Sequence, residues 1–162
     1  MTTIFDGRYT VDQKGDFVVF MIGMRVNKLL AFRKWIPVAS AMGPMLSTLY
    51  RHPEKGFLGG EAFFGWRTIL SVQYWRSTED LERFAHNPSD PHLSAWQAFN
   101  KAIGSDGSTG IFHETYRVRA GEYECFYGNM PRFGLAAVAD HIPVGDRRQT
   151  MRQRLGETNE NL

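Results

Sequence analysis

Two histidines, His92 and His113, carry the clearest chemical signal in this sequence. His92 follows Asp90-Pro91, a helix start in which proline takes a position where its missing N–H costs little. Trp96, Phe99 and Ile103 follow at offsets of four, seven and eleven, so the imidazole heads an apolar stripe on one helical face. His113 lies in IFHETYRV, which reads as a strand with Ile111, His113 and Thr115 on one face and Glu114 on the other. A neutral imidazole among apolar neighbours has two ring nitrogens to satisfy, and an axial bond to haem iron at the rim of an apolar cavity would satisfy one of them. The plain alternative is a helix-start hydrogen bond for His92 and a cross-strand bond for His113.

The elements that must position these residues follow from periodicity and punctuation. Asp16 to Val26 is a continuous apolar run after a Gly15 turn and reads as a buried strand. From Asn27 to Tyr50 apolar residues recur near helical spacing, and Pro37 and Pro44 are expected to split that stretch into two helical pieces. GFLGGEAFF and TILSVQYWR read as an antiparallel pair with a bulge at Gly59-Gly60. Ser77 with Asp80 three residues later forms the clearest helix cap, and Asn87-Pro88-Ser89 stops that helix. Glu122 to Tyr127 reads as a further strand and Gly134 to Val144 as an extended segment or loop. The expected organisation is one domain over residues 1–144 and a polar, flexible tail over 145–162. The order strand, helices, strand, strand, helices, strand is the split βαβ plan, which gives an α+β fold with an antiparallel sheet and helices on one face. The uncovered face predicts a homodimer with the two sheets together.

Composition narrows the function classes. The 162 residues are 43% hydrophobic and 22% charged, enough for a core without a disulfide scaffold, and the 14% aromatic share leaves ring surface for a cavity or interface. A net charge of +2 without long like-charge runs argues against nucleic acid and anionic membrane as partners. Cys125 is the single cysteine, so internal disulfides and cysteine zinc cages are excluded. With no apparent export signal, a cytoplasmic setting is expected. The five histidines show no HExxH or HxH spacing, and there is no GxSxG elbow, Walker loop or GxGxxG turn. His52 and His86 sit where a ring can cap helix-end carbonyls, and His141 is expected to be exposed. Met21, Met24, Met42 and Met45 read as adaptable lining of core or cavity. Glu61, Glu114, Glu122 and Glu124 read as solvated or ion-paired.

The stretch HNPSDPHLSAWQAFNKAIGSDGSTGIFHETYRV, about a fifth of the chain, resembles the haem-binding segment of the nitrile-forming aldoxime dehydratases. That resemblance implies haem b, with His92 as the proximal iron ligand and His113 as the distal acid/base. A broader resemblance runs through YRHPEKGFLGGEAFF, VQYWRSTEDLERFAHNPSDPHLSAWQAFN, GIFHETYRV and YECFYGNMPRFGL. These segments resemble bacterial domains of unknown function grouped with fumagillin-type fungal polyketide monooxygenases in the dimeric α/β-barrel superfamily. The superfamily includes cofactor-free antibiotic-biosynthesis monooxygenases as well as haem enzymes, so the resemblance implies the fold more firmly than the activity.

The expected function is therefore a monooxygenase-like enzyme for a small apolar or aromatic substrate. In its haem form His92 binds iron, His113 moves a proton, and Trp96, Phe99 and Ile111 wall the pocket. Ser71, Arg67 and Arg76 are candidates for a distal polar helper. In the cofactor-free form His113 makes a carbanion that meets dioxygen, while Trp75, Tyr116 and Asn129 orient the substrate. A haem aldoxime dehydratase-like lyase and a ligand-binding dimer without turnover are the remaining alternatives.

Overall fold

The computed structural model describes residues 2–90, 93, 97, 100 and 106–157. It divides into two compact units, residues 18–116 and residues 2–17 with 117–157.

The first unit follows the split βαβ order. β2 (Phe17–Val26) leads into α1 (Phe32–Arg51), the pair β3 (Phe57–Phe64) and β4 (Thr68–Trp75) follows, and α2 (Thr78–His86) precedes β5 (Thr109–Val118). The sheet order is β3-β4-β2-β5, with β2 and β3 each antiparallel to β4. The fold is thus α+β and ferredoxin-like, as the order of elements in the sequence implies. The register slips between Phe57 and Gly59, where the Gly59-Gly60 step was expected to bulge. Ser77 caps α2 by accepting from the Asp80 backbone N–H. Asp80, itself buried, is held by Arg76 at 2.7 Å and Arg83 at 2.8 Å.

α1 departs from expectation: it is one helix of 20 residues with Pro37 and Pro44 inside it. Each proline removes one backbone donor. Val38, Met42, Met45 and Leu49 nevertheless stay in phase on one face and line a common cavity, and that shared burial outweighs two missing hydrogen bonds. Trp75 and Leu49 are the largest fully buried side chains, in a core with Val18, Phe57 and Phe84. The Trp75 ring meets Phe57 edge-on at 5.5 Å and Phe84 at 5.7 Å.

The second unit is a three-stranded sheet of order β6-β1-β7. β1 (Phe5–Asp12) pairs antiparallel with β6 (Tyr127–Met130) and β7 (Asp140–Pro143). The strand expected over Glu122 to Tyr127 thus begins at Tyr127, and the extended segment after Gly134 contains a 3₁₀ turn and β7. Residues 145–157 hold a 3₁₀ turn and α3 (Met151–Arg154). A reciprocal capping box joins Thr150 and Gln153. Arg154 anchors the segment through Glu124 at 2.5 Å, with its guanidinium 5.5 Å over the Phe126 ring.

Candidate functional site

Strand alternation builds the site in the first unit. Register pairs Phe20 with Gln73, Ile22 with Ser71 and Met24 with Ile69, so these residues share one sheet face with Val18 and Trp75. α1 and α2 pack on that face and leave a cavity of about 500 Å³. Its walls are Phe20, Ile22, Met24 and Ile69 from the sheet, Val38, Met42 and Met45 from α1, and Leu81 and Phe84 from α2. Volume and apolar lining are those of a small-molecule site.

Ile111, His113 and Thr115 enter this cavity from β5 as the alternation required. The His113 ring lies 5.8 Å from the Phe20 ring, tilted by 41°. His113 is also solvent-accessible. At the α2 end, His86 Nδ1 is 2.9 Å from the Glu82 carbonyl oxygen, the carbonyl-capping role expected of it, and both residues line the cavity. His52 pairs instead with the Glu54 carboxylate at 2.9 Å.

A polar chain was not anticipated. Trp75 Nε1 donates to Gln73 Oε1 at 3.0 Å, and Gln73 Nε2 donates to Ser71 Oγ at 3.3 Å. All three side chains are buried, and Trp75 and Gln73 line the cavity. The signal was available: Gln73 stands two residues before Trp75 on an alternating strand, and therefore shares its face.

Several expected positions are not brought to the cavity. Tyr116 lies one residue out of phase with His113 and Thr115, half exposed on the other side of β5, where its hydroxyl donates to Glu114. Asn129 belongs to the second unit; it adopts a left-handed conformation at φ 52° and accepts from the Gly7 N–H at 2.8 Å, a structural role. Arg76 is engaged with Asp80, and neither it nor Arg67 lines the cavity. Trp75 does line it, with its N–H already spent on Gln73. Met24, Met42 and Met45 line the cavity as expected. His92, Trp96 and Phe99 lie outside the described residues; Leu93, Gln97 and Asn100 beside them are helical. Among the described residues no cluster of three metal-ligating side chains occurs, and no helix is long and apolar enough to cross a membrane.

His141 also departs from expectation. Its ring stacks on Tyr9 at 4.5 Å, meets Phe5 at 4.9 Å and Tyr127 at 5.8 Å edge-on, and has both nitrogens buried without a partner among the described residues. Burial, reinforced by the Arg132 charge, holds its pKa below the ordinary histidine value.

A ferredoxin-like sheet with an apolar, imidazole-bearing cavity under its helices defines the class of protein. Residues 17–135 match the monooxygenase af470-like family, and the chain belongs to that family. It is 30% identical to monooxygenase af470 of Aspergillus fumigatus over 72% of this chain and 44% of that protein, so it spans less than half the length of that relative. In fold it is similar to an aldoxime dehydratase in complex with butyraldoxime, with a TM-score of 0.67 at 16% identity over 83% of this chain and 40% of the other. A second aldoxime dehydratase structure gives a TM-score of 0.65 at 17% identity over 85% and 44% of the two chains.

Proposed function

We propose that this chain provides the substrate cavity of a monooxygenase-like enzyme acting on a small apolar or aromatic molecule, with His113 as acid/base and haem b held by His92. The observation that carries the reading is the placement of the His113 imidazole on the wall of the apolar cavity while it remains reachable from solvent. A group in that position exchanges protons with a bound ligand and is recharged from outside. Family membership supports the oxygenase chemistry.

The apolar walls and the facing His113 imidazole fit the faces of a haem, with Ile111 on the wall and Trp96 and Phe99 as its further proposed wall residues. When bound, haem supplies an iron centre that engages the substrate or dioxygen. The protein's own part is to hold the ligand against Phe20, Ile22 and Met24, exclude water, and deliver or remove a proton at the His113 ring.

A second reading has its own support: the described cavity lining contains no lysine or arginine to meet haem carboxylates. Without haem, His113 removes a proton from an activated CH₂ group of the substrate. Dioxygen then oxidises that CH₂ to a carbonyl, one oxygen atom remaining in the product and the other leaving as water. In either form, we place the protein in the cytoplasm as a homodimer joined through the sheet face that carries Met21, Leu70 and Val72.

The deciding experiment is an absorption spectrum of wild type and His92→Ala, each expressed with added haem precursor. A Soret band in wild type alone supports the haem form. Colourless protein that takes up no added haem overturns the His92 assignment. Dioxygen uptake that depends on His113 then marks the cofactor-free enzyme, and absence of uptake marks a binder without turnover.

A further inference from the structure

The buried polar chain beneath the cavity has a fixed direction. An indole N–H only donates, so the group that faces Trp75 Nε1 at 3.0 Å must be the carbonyl oxygen of the Gln73 amide. A flipped amide would set N–H against N–H in the core. The NH₂ end of Gln73 is therefore turned away from Trp75, and one of its two hydrogens goes to Ser71 Oγ. The other has no partner among the described residues, although Gln73 is only 4% exposed and lines the cavity. A donor left unmet in an apolar wall is costly, and a ligand acceptor placed against it recovers that cost.

We propose that Gln73 is a specificity-determining residue of this cavity, its free amide N–H receiving a carbonyl oxygen of the ligand, with Trp75 as the positioning residue that locks the amide. The cavity accordingly selects apolar molecules that carry a carbonyl group over hydrocarbons of the same shape. This role for Gln73 rests on the reading that the cavity binds the substrate, and it narrows that substrate to carbonyl-bearing molecules. Sites built to hydrogen-bond one ligand group discriminate strongly against analogues that lack it.

The test uses benzophenone and its methylidene analogue, in which CH₂ replaces the carbonyl oxygen without changing the shape. Affinities for the full chain are measured by ligand-observed NMR in wild type, Gln73→Leu and Trp75→Phe, with circular dichroism reporting the fold. The preference for ketone over hydrocarbon is expected to fall about tenfold in Gln73→Leu. In Trp75→Phe it is expected to fall severalfold, because the amide is free to turn. An unchanged preference in Gln73→Leu overturns the proposal while the cavity reading stands. Should that variant not fold, an unchanged preference in Trp75→Phe overturns it instead. If neither compound binds wild type, the cavity reading itself fails and this proposal with it.

Discussion

His113 and His141 are both strand imidazoles with aromatic neighbours, yet their surroundings prepare them for different work. His113 stands on β5 with the Phe20 ring at 5.8 Å, an open cavity in front and access to solvent. His141 stands on β7 among Phe5, Tyr9 and Tyr127, with neither nitrogen reaching a partner among the described residues. The first has open space in front of its ring. The second is packed as an aromatic plate, and desolvation lowers its pKa. Residue type and strand position do not separate the two; space and a path for protons do.

The sharpest way to break this comparison is His113→Ala. Turnover is expected to fall about a hundredfold or more, read as dioxygen uptake with an aromatic ketone bearing an acidic CH₂ group. The unfolding temperature should stay near that of wild type, since His113 is exposed on an edge strand. A fall of less than about threefold in kcat would remove His113 from the chemistry.

His141→Ala gives the reciprocal result. It leaves a void among three rings and should cost about 3 kcal/mol in denaturant unfolding, with kcat unchanged. His141→Phe sharpens the contrast through pH. Because the folded-state pKa lies below the unfolded value of about 6.5, the unfolded chain takes up the proton more readily. This contribution to stability is fully present above about 6.5 and is lost as the pH falls through the folded-state value. The Phe variant lacks that loss, so its unfolding temperature should decline less than that of wild type between neutral and mildly acidic pH. Parallel declines would show that His141 is not the desolvated ring described.

The sequence made much of the first unit legible because the signals there are local. The β-branched run at Phe17–Val26, the Gly59 step and the Ser77 cap each act over a few residues, and each formed as read. In α1 the two signals conflict: each proline removes a donor, while the apolar stripe continues in phase through both prolines and prevails. β1 is hard to see in the sequence because Phe5, Tyr9 and Val11 alternate with Asp6, Arg8, Thr10 and Asp12, a period-two pattern in a segment rich in charge. Four-residue β7 carries too little pattern to be seen, and with it went the burial of His141. The His113 face was legible from alternation alone, while Gln73 needed the register of β4 against β2 to be placed opposite Phe20.

The smallest expected effect tests that alternation directly. Tyr116 was grouped with His113 as a substrate-orienting residue, yet an even and an odd position on one regular strand cannot face the same cavity. Its hydroxyl donates to the exposed Glu114 on the far side, an interaction that water replaces at little cost. Tyr116→Phe should therefore leave kcat and KM unchanged and shift stability by no more than about 0.5 kcal/mol. A large loss of activity with intact fold would mean that the far face also meets substrate, and the division of labour between the two faces of β5 would have to be abandoned. An unchanged enzyme would leave the odd-numbered positions Ile111, His113 and Thr115 as the contribution of that strand to the cavity.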